Sequence, residues 1–90
     1  MRIQLMANEK GFEVLKEQQQ IGKIVWTLET NRMIMNGTLV DPSLRGQNVG
    51  EQLLDHAADY ARAHDYKMEA VCPYVVKMFE RFSRYDDVKL

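Results

Sequence analysis

The hydrophobic period of this chain changes once, across Val40–Gly50, and that change limits the folds open to it. Before it, apolar residues recur at every second position, the period of strands with one buried face. Ile3, Leu5 and Ala7 alternate with polar neighbours, and Asn8-Glu9-Lys10-Gly11 has the composition of a turn. Phe12–Leu15 resumes the extended pattern, which the polar run Lys16–Gln20 interrupts. Ile21–Leu28 is rich in β-branched and aromatic residues, with Trp26 expected in the core. Glu29–Arg32 reads as a hairpin loop and Met33–Val40 as the next strand. Gly22 and Gly37 fall inside strand patterns, so a bulge or a close approach is expected at each.

After the change the period is helical. Val49, Leu53, Leu54, Ala57, Ala58 and Ala61 form one apolar stripe, which predicts an amphipathic helix to about His64. Tyr66–Cys72 follows as a short strand with Met68, Ala70 and Cys72 on one face. Pro73 suits the first turn of a second helix, whose apolar face is Val75, Met78, Phe79 and Phe82. Lys77, Arg81 and Arg84 would give that helix a basic stripe, most simply a solvated face. The expected fold is therefore α+β (or α/β): three or four antiparallel strands, then helix, strand, helix. The strand, helix, strand run within this order is expected to form one right-handed parallel crossover. Divergence of the strand ending at Val40 from the strand ending at Cys72 would leave a cleft between them. Residues 1–90 suffice for one domain and no more.

Composition removes several functions. Twelve basic against thirteen acidic residues, a net charge of −1, argue against nucleic-acid binding over a broad basic surface. The single cysteine, Cys72, excludes an internal disulfide, and with His56 and His64 eight apart no zinc spacing is present. No segment approaches the roughly 20 apolar residues of a membrane span. Met1–Lys10 lacks the apolar core of a signal peptide, and a lone thiol fits a reducing compartment. A cytoplasmic protein without membrane or nucleic-acid partners is expected, as monomer or weak dimer.

The segment most able to do chemistry is Val40-Asp41-Pro42-Ser43-Leu44-Arg45-Gly46-Gln47-Asn48-Val49-Gly50-Glu51, which joins a strand to a helix start. Glycine permits positive φ and close approach, and asparagine is the next most tolerant of the left-handed region. Free N–H groups at a helix start make an anion nest suited to phosphate or pyrophosphate. The alternative is a loop that caps a helix and binds nothing. No Gly-Lys-Ser/Thr follows, and the three glycines of a dinucleotide fingerprint are missing.

Arg45-Gly46-Gln47-Asn48-Val49-Gly50 resembles the pyrophosphate loop of the GNAT superfamily of acetyltransferases, Gln/Arg-x-x-Gly-x-Gly/Ala. Cys72-Pro73-Tyr74-Val75 is similar to the Cys-Pro-Tyr/Phe segment of its minimal single-domain, YjdJ-like branch. Val40-Asp41-Pro42-Ser43-Leu44-Arg45-Gly46 and the closing Tyr85-Asp86 resemble that branch too, in order and at matching spacing. The resemblance implies acetyl-CoA held between the two diverging strands, with its pyrophosphate on the amides of Arg45, Gly46, Gln47, Asn48, Val49 and Gly50. Val40, Glu51, Pro73 and Lys77 are the further cofactor contacts it suggests. Two positions depart from the pattern: Asn48 stands for the first motif glycine, and Gly37 precedes Thr38 where many relatives carry a strand histidine.

Cys72, before a helix that opens with Pro73, reads either as a reactive thiol beside the acyl group or as a small buried hydrophobe. As the former it is expected to be accessible and more acidic than a free thiol. Thr38 and Asn36 either supply polar groups to the cleft or form the wet face of a strand. Tyr74 is a general acid, a channel wall or a packed aromatic. His56 and His64 are given no role. The resulting reading is an acetyl-CoA-dependent N-acyltransferase acting on an unidentified amine, small or macromolecular, directly or with help from Cys72, Thr38 and Tyr74. The alternatives are a CoA-binding or protein-interaction module without turnover, and a phosphate-binding regulatory domain.

Overall fold

Five strands lie side by side in chain order: β1 (Arg2–Leu5), β2 (Gly11–Lys16), β3 (Gln19–Glu29), β4 (Arg32–Val40) and β5 (Lys67–Ala70). The computed structural model describes all 90 residues. The first four strands are antiparallel, and β5 runs parallel to β4 after a crossover through helix α1 (Val49–His64). Helix α2 (Pro73–Arg81) follows β5. This is the α+β arrangement expected from the change of period. No helix is long and apolar enough to cross a membrane.

The alternating residues supply one buried face. Val14, Ile24, Trp26, Met33, Met35 and Met68 pack with the α1 stripe and with Val75, Met78 and Phe79 of α2 in one core. The alanines at 57, 58 and 61 leave little bulk on α1, so the helix can lie close to the strands. α1 ends at Asp65, whose φ of 61° turns the chain while its N–H bonds to the carbonyls of Ala61 and Arg62.

Gly22 and Gly37 each sit beside a bulge. The β2–β3 register shifts opposite Ile21, next to Gly22, and the β3–β4 register shifts opposite Asn36, next to Gly37. The second bulge reverses which side chains face the core beyond it. Asn36 points to the outer face, where its Nδ2 donates to Thr27 Oγ1 at 2.6 Å. Thr38, paired with Ile24, points to the helix-covered face.

Several boundaries differ from those read in the sequence. β3 begins at Gln19, because Glu17 and Gln18 make a two-residue turn with φ of 52° and 67°. β5 spans Lys67–Ala70 rather than Tyr66–Cys72; the chain leaves the ladder at Val71 to enter α2. α2 stops at Arg81, and Phe82 is its extended C-cap rather than part of its apolar face. Arg84 lies beyond the helix in a 3₁₀ turn, Ser83–Tyr85, so the expected stripe with Lys77 and Arg81 is broken. Residues 88–90 then pair with the free edge of β5: Met68 N–H donates to Val88 at 2.7 Å and Leu90 N–H to Met68 at 3.0 Å.

Candidate functional site

The β4–β5 ladder ends at Met35 opposite Ala70, and a Cys72 N–H to Met35 carbonyl bond of 2.9 Å closes it. β4 runs on to Val40 while the chain after β5 turns away into α2. The gap is a cavity of about 340 Å³. Thr38 and Val40 of β4 form one wall, Leu44, Arg45, Gly46 and Asn48–Gly50 another, and Tyr74 of α2 closes the side. The splay of the strands thus lies where the change of period puts it.

The loop above the cavity is shaped by its own backbone bonds. Ser43 N–H donates to the Asp41 carboxylate at 2.9 Å, and Arg45 N–H to the Pro42 carbonyl at 3.2 Å. The first bond of α1 runs from Gln52 N–H to the Asn48 carbonyl, 3.0 Å. Gly46 has a φ of 82° and Asn48 of 55°, both in the left-handed region. Asn48 therefore takes the conformation that glycine takes readily, and its side chain makes no capping bond. The amides of Gly46, Asn48, Val49, Gly50 and Glu51 are left without an acceptor in the chain. At the positive end of a helix dipole, such a run suits an anion.

Gly50 contributes differently from the expected freedom of backbone. Its φ is not positive; instead a Cβ there would lie 2.9 Å from the Tyr74 hydroxyl and 3.0 Å from its ring. The missing side chain lets the Tyr74 ring lie across the first turn of α1. Burial, with the carboxylates of Glu51 and Asp55 adding to it, raises the Tyr74 pKa and keeps the phenol neutral. The Tyr74 hydroxyl thus keeps its proton.

Cys72 is buried at 7% exposure, which corrects the expectation of an accessible thiol. Burial pushes its pKa up, but the amides of Val75 and Tyr74 and the Thr38 hydroxyl outweigh that and hold it below the ordinary thiol value. Its Sγ donates to Thr38 Oγ1 at 3.7 Å. The direction of this shift is the one expected, but the expected exposure is missing.

Of the residues singled out from sequence, Thr38, Val40, Arg45, Gly46, Asn48, Val49, Gly50 and Tyr74 meet at the cavity. Gln47, Glu51, Cys72, Pro73 and Lys77 do not form its wall. Lys77 is exposed on α2, and the Glu51 side chain turns to Arg84, whose Nη2 donates to it at 2.7 Å. Leu44, 7% exposed, is an unassigned member of the wall. An apolar residue alone in a polar loop was the signal for it. No group of three or more potential metal ligands occurs.

A family model described as GCN5-related N-acetyl-transferase matches residues 11–88. Among solved structures, a GCN5-like protein of Staphylococcus aureus determined by NMR superposes with a TM-score of 0.80 at 28% identity, over 99% of this chain and 87% of that one. A ribosomal-protein-alanine N-acetyltransferase of Brucella melitensis biovar Abortus superposes at 0.60 with 17% identity, over 89% of this chain and 60% of its own. An IAA acetyltransferase of Bacillus cereus superposes at 0.56 with 23% identity, over 69% and 44%. The chain spans less than two thirds of these last two, and they bear on the fold alone. No curated protein matches the sequence.

Proposed function

The chain belongs to the GCN5-related N-acetyltransferase family, and from that premise we propose that it moves the acetyl group of acetyl-CoA directly to an amine in the cavity between β4 and α2. The observation that carries this is the set of unbonded amides at Gly46 and from Asn48 to Glu51, held open by positive φ at Gly46 and Asn48 beside that cavity. Those amides and the Arg45 side chain suit a pyrophosphate. The edge of β4 beyond Met35, which has no strand partner on the β5 side, suits the amide-bearing arm between pyrophosphate and thioester.

Acetyl-CoA, when bound, supplies an activated thioester. The chain's own residues supply position and hydrogen bonds. While Cys72 is a thiol, Thr38 Oγ1 accepts from it, so the Thr38 proton is free to be donated into the cavity. Tyr74 offers a second neutral donor. The burial of Cys72 supports direct transfer over a thiol-bound acyl group, with the thiol orienting Thr38. A single free thiol also suits a reducing compartment such as the cytoplasm.

One observation favours binding without turnover. No carboxylate or imidazole lines the cavity to take the amine's proton. Titration calorimetry with acetyl-CoA tests the shared part of the two readings. The wild-type chain and Asn48→Gly are expected to bind, the glycine variant as tightly or more so. Asn48→Val is expected to bind about tenfold more weakly or worse, since a β-branched residue in the left-handed region costs roughly 1–2 kcal/mol. No heat with wild type, or equal affinity for all three, would refute the loop assignment. Release of CoA in the presence of an amine panel then separates the enzyme from the binding module.

A further inference from the structure

The first turn of α1 carries a contradiction. Its amides suit an anion, yet Glu51 in that turn and Asp55 one turn further on place two carboxylates along the start of the helix. Both act electrostatically on Tyr74, a residue of the cavity wall, so their field reaches the site. An anion seated on the amides would be repelled by them.

The answer comes from the other end of the chain. Arg84, in the 3₁₀ turn after α2, donates from Nη2 to Glu51 at 2.7 Å and from Nε to Asp55 at 3.2 Å. The same Nη2 reaches the Tyr85 hydroxyl at 2.9 Å, and that hydroxyl donates to Asp55. Stacking fixes the guanidinium further: its carbon lies 4.4 Å from the centre of the Phe82 ring and 4.7 Å from that of Tyr85. Arg84 also acts on Tyr74 with a sign opposite to that of the two carboxylates.

We propose that Arg84 is a charge-compensating residue of the cofactor site: by pairing with Glu51 and Asp55 it keeps the start of α1 attractive to a polyanion without touching the ligand. The inference rests on the pyrophosphate reading of the Gly46–Glu51 amides. It makes the C-terminal turn part of the binding machinery, and it explains why an acidic first turn is compatible with an anion site. Arginine suits the position because one planar fork engages two carboxylates and stacks on two rings at once.

The test compares CoA with pantetheine, which lacks the phosphates. Arg84→Gln should weaken CoA binding about tenfold at low salt and change pantetheine binding by less than about twofold. Adding Glu51→Gln to Arg84→Gln should recover most of that loss. Arg84→Lys should stay within about threefold of wild type for CoA. Equal loss for CoA and pantetheine, or no recovery in the double variant, would make Arg84 a structural residue and overturn the proposal. Should Arg84→Gln lose its melting transition, Glu51→Gln alone decides. It should tighten CoA about two- to threefold, and unchanged or weaker binding overturns the inference. A wild-type chain that does not bind CoA would remove the pyrophosphate reading itself, and this inference with it.

Discussion

Cys72 holds two opposed effects at one atom. Burial disfavours its thiolate, while the Val75 and Tyr74 amides and the Thr38 hydroxyl favour it and prevail. Its folded-state pKa is therefore below its unfolded one. The stability this contributes is complete above the unfolded thiol value, about 8.5, and is lost as pH falls through the lowered folded value. The stability of wild type relative to Cys72→Ala should accordingly be larger at about pH 9 than at about pH 6, read from denaturant midpoints. A difference independent of pH would show that the thiol only packs. Alkylation of the native chain should be slow at either pH, since Cys72 is 7% exposed. The placement of Cys72 at a helix start was legible from Pro73, because proline tolerates only that end of a helix. Its burial was not legible. Burial depends on Thr38, 34 residues away, and on the core around both.

At the scale of elements, two hairpin turns are made from residues ill suited to them. Glu17 and Gln18 both have positive φ, as the two-residue turn between β2 and β3 demands. Thr30, β-branched, has a φ of 57° in the turn between β3 and β4. Gln18→Gly and Thr30→Gly should each raise the denaturant midpoint, with a gain in stability of about 0.5–1 kcal/mol once unfolded-state entropy offsets part of the relieved strain. A fall at either position would mean that the side chain has a partner in the turn worth more than the strain. These residues also explain why the first turn was not placed from sequence. Lys16–Gln20 holds neither glycine nor asparagine, so composition marked an interruption without showing where two residues reverse the chain. The helices were read more closely, α1 to its last residue, because a stripe of six buried residues is a long periodic signal.

At the scale of the whole molecule, one layer of helices covers one face of the sheet, and the C-terminal residues complete that layer. Tyr85 and Val88 are 1% and 2% exposed, and residues 88–90 cover the β5 edge. A domain of this size has about 5–10 kcal/mol of stability, and each large buried side chain removed costs about 2–4 kcal/mol. Truncation after Phe82 should therefore abolish the cooperative thermal transition followed by near-ultraviolet dichroism. A truncated chain that still melts cooperatively would show that the core closes without this segment. By itself the sequence determined the order of elements, the single buried face and the position of the loop between strand and helix, and it allowed a left-handed residue at 48. Each follows from local periodicity or from the backbone tolerance of one residue. Tertiary structure decided what shares a wall. A one-residue bulge at Asn36 turns Thr38 towards the cavity, Tyr74 lies across Gly50, and Arg84 returns to Glu51 from 33 residues on. Register and long-range pairing depend on residues far apart in the chain meeting in space, and no local period encodes that.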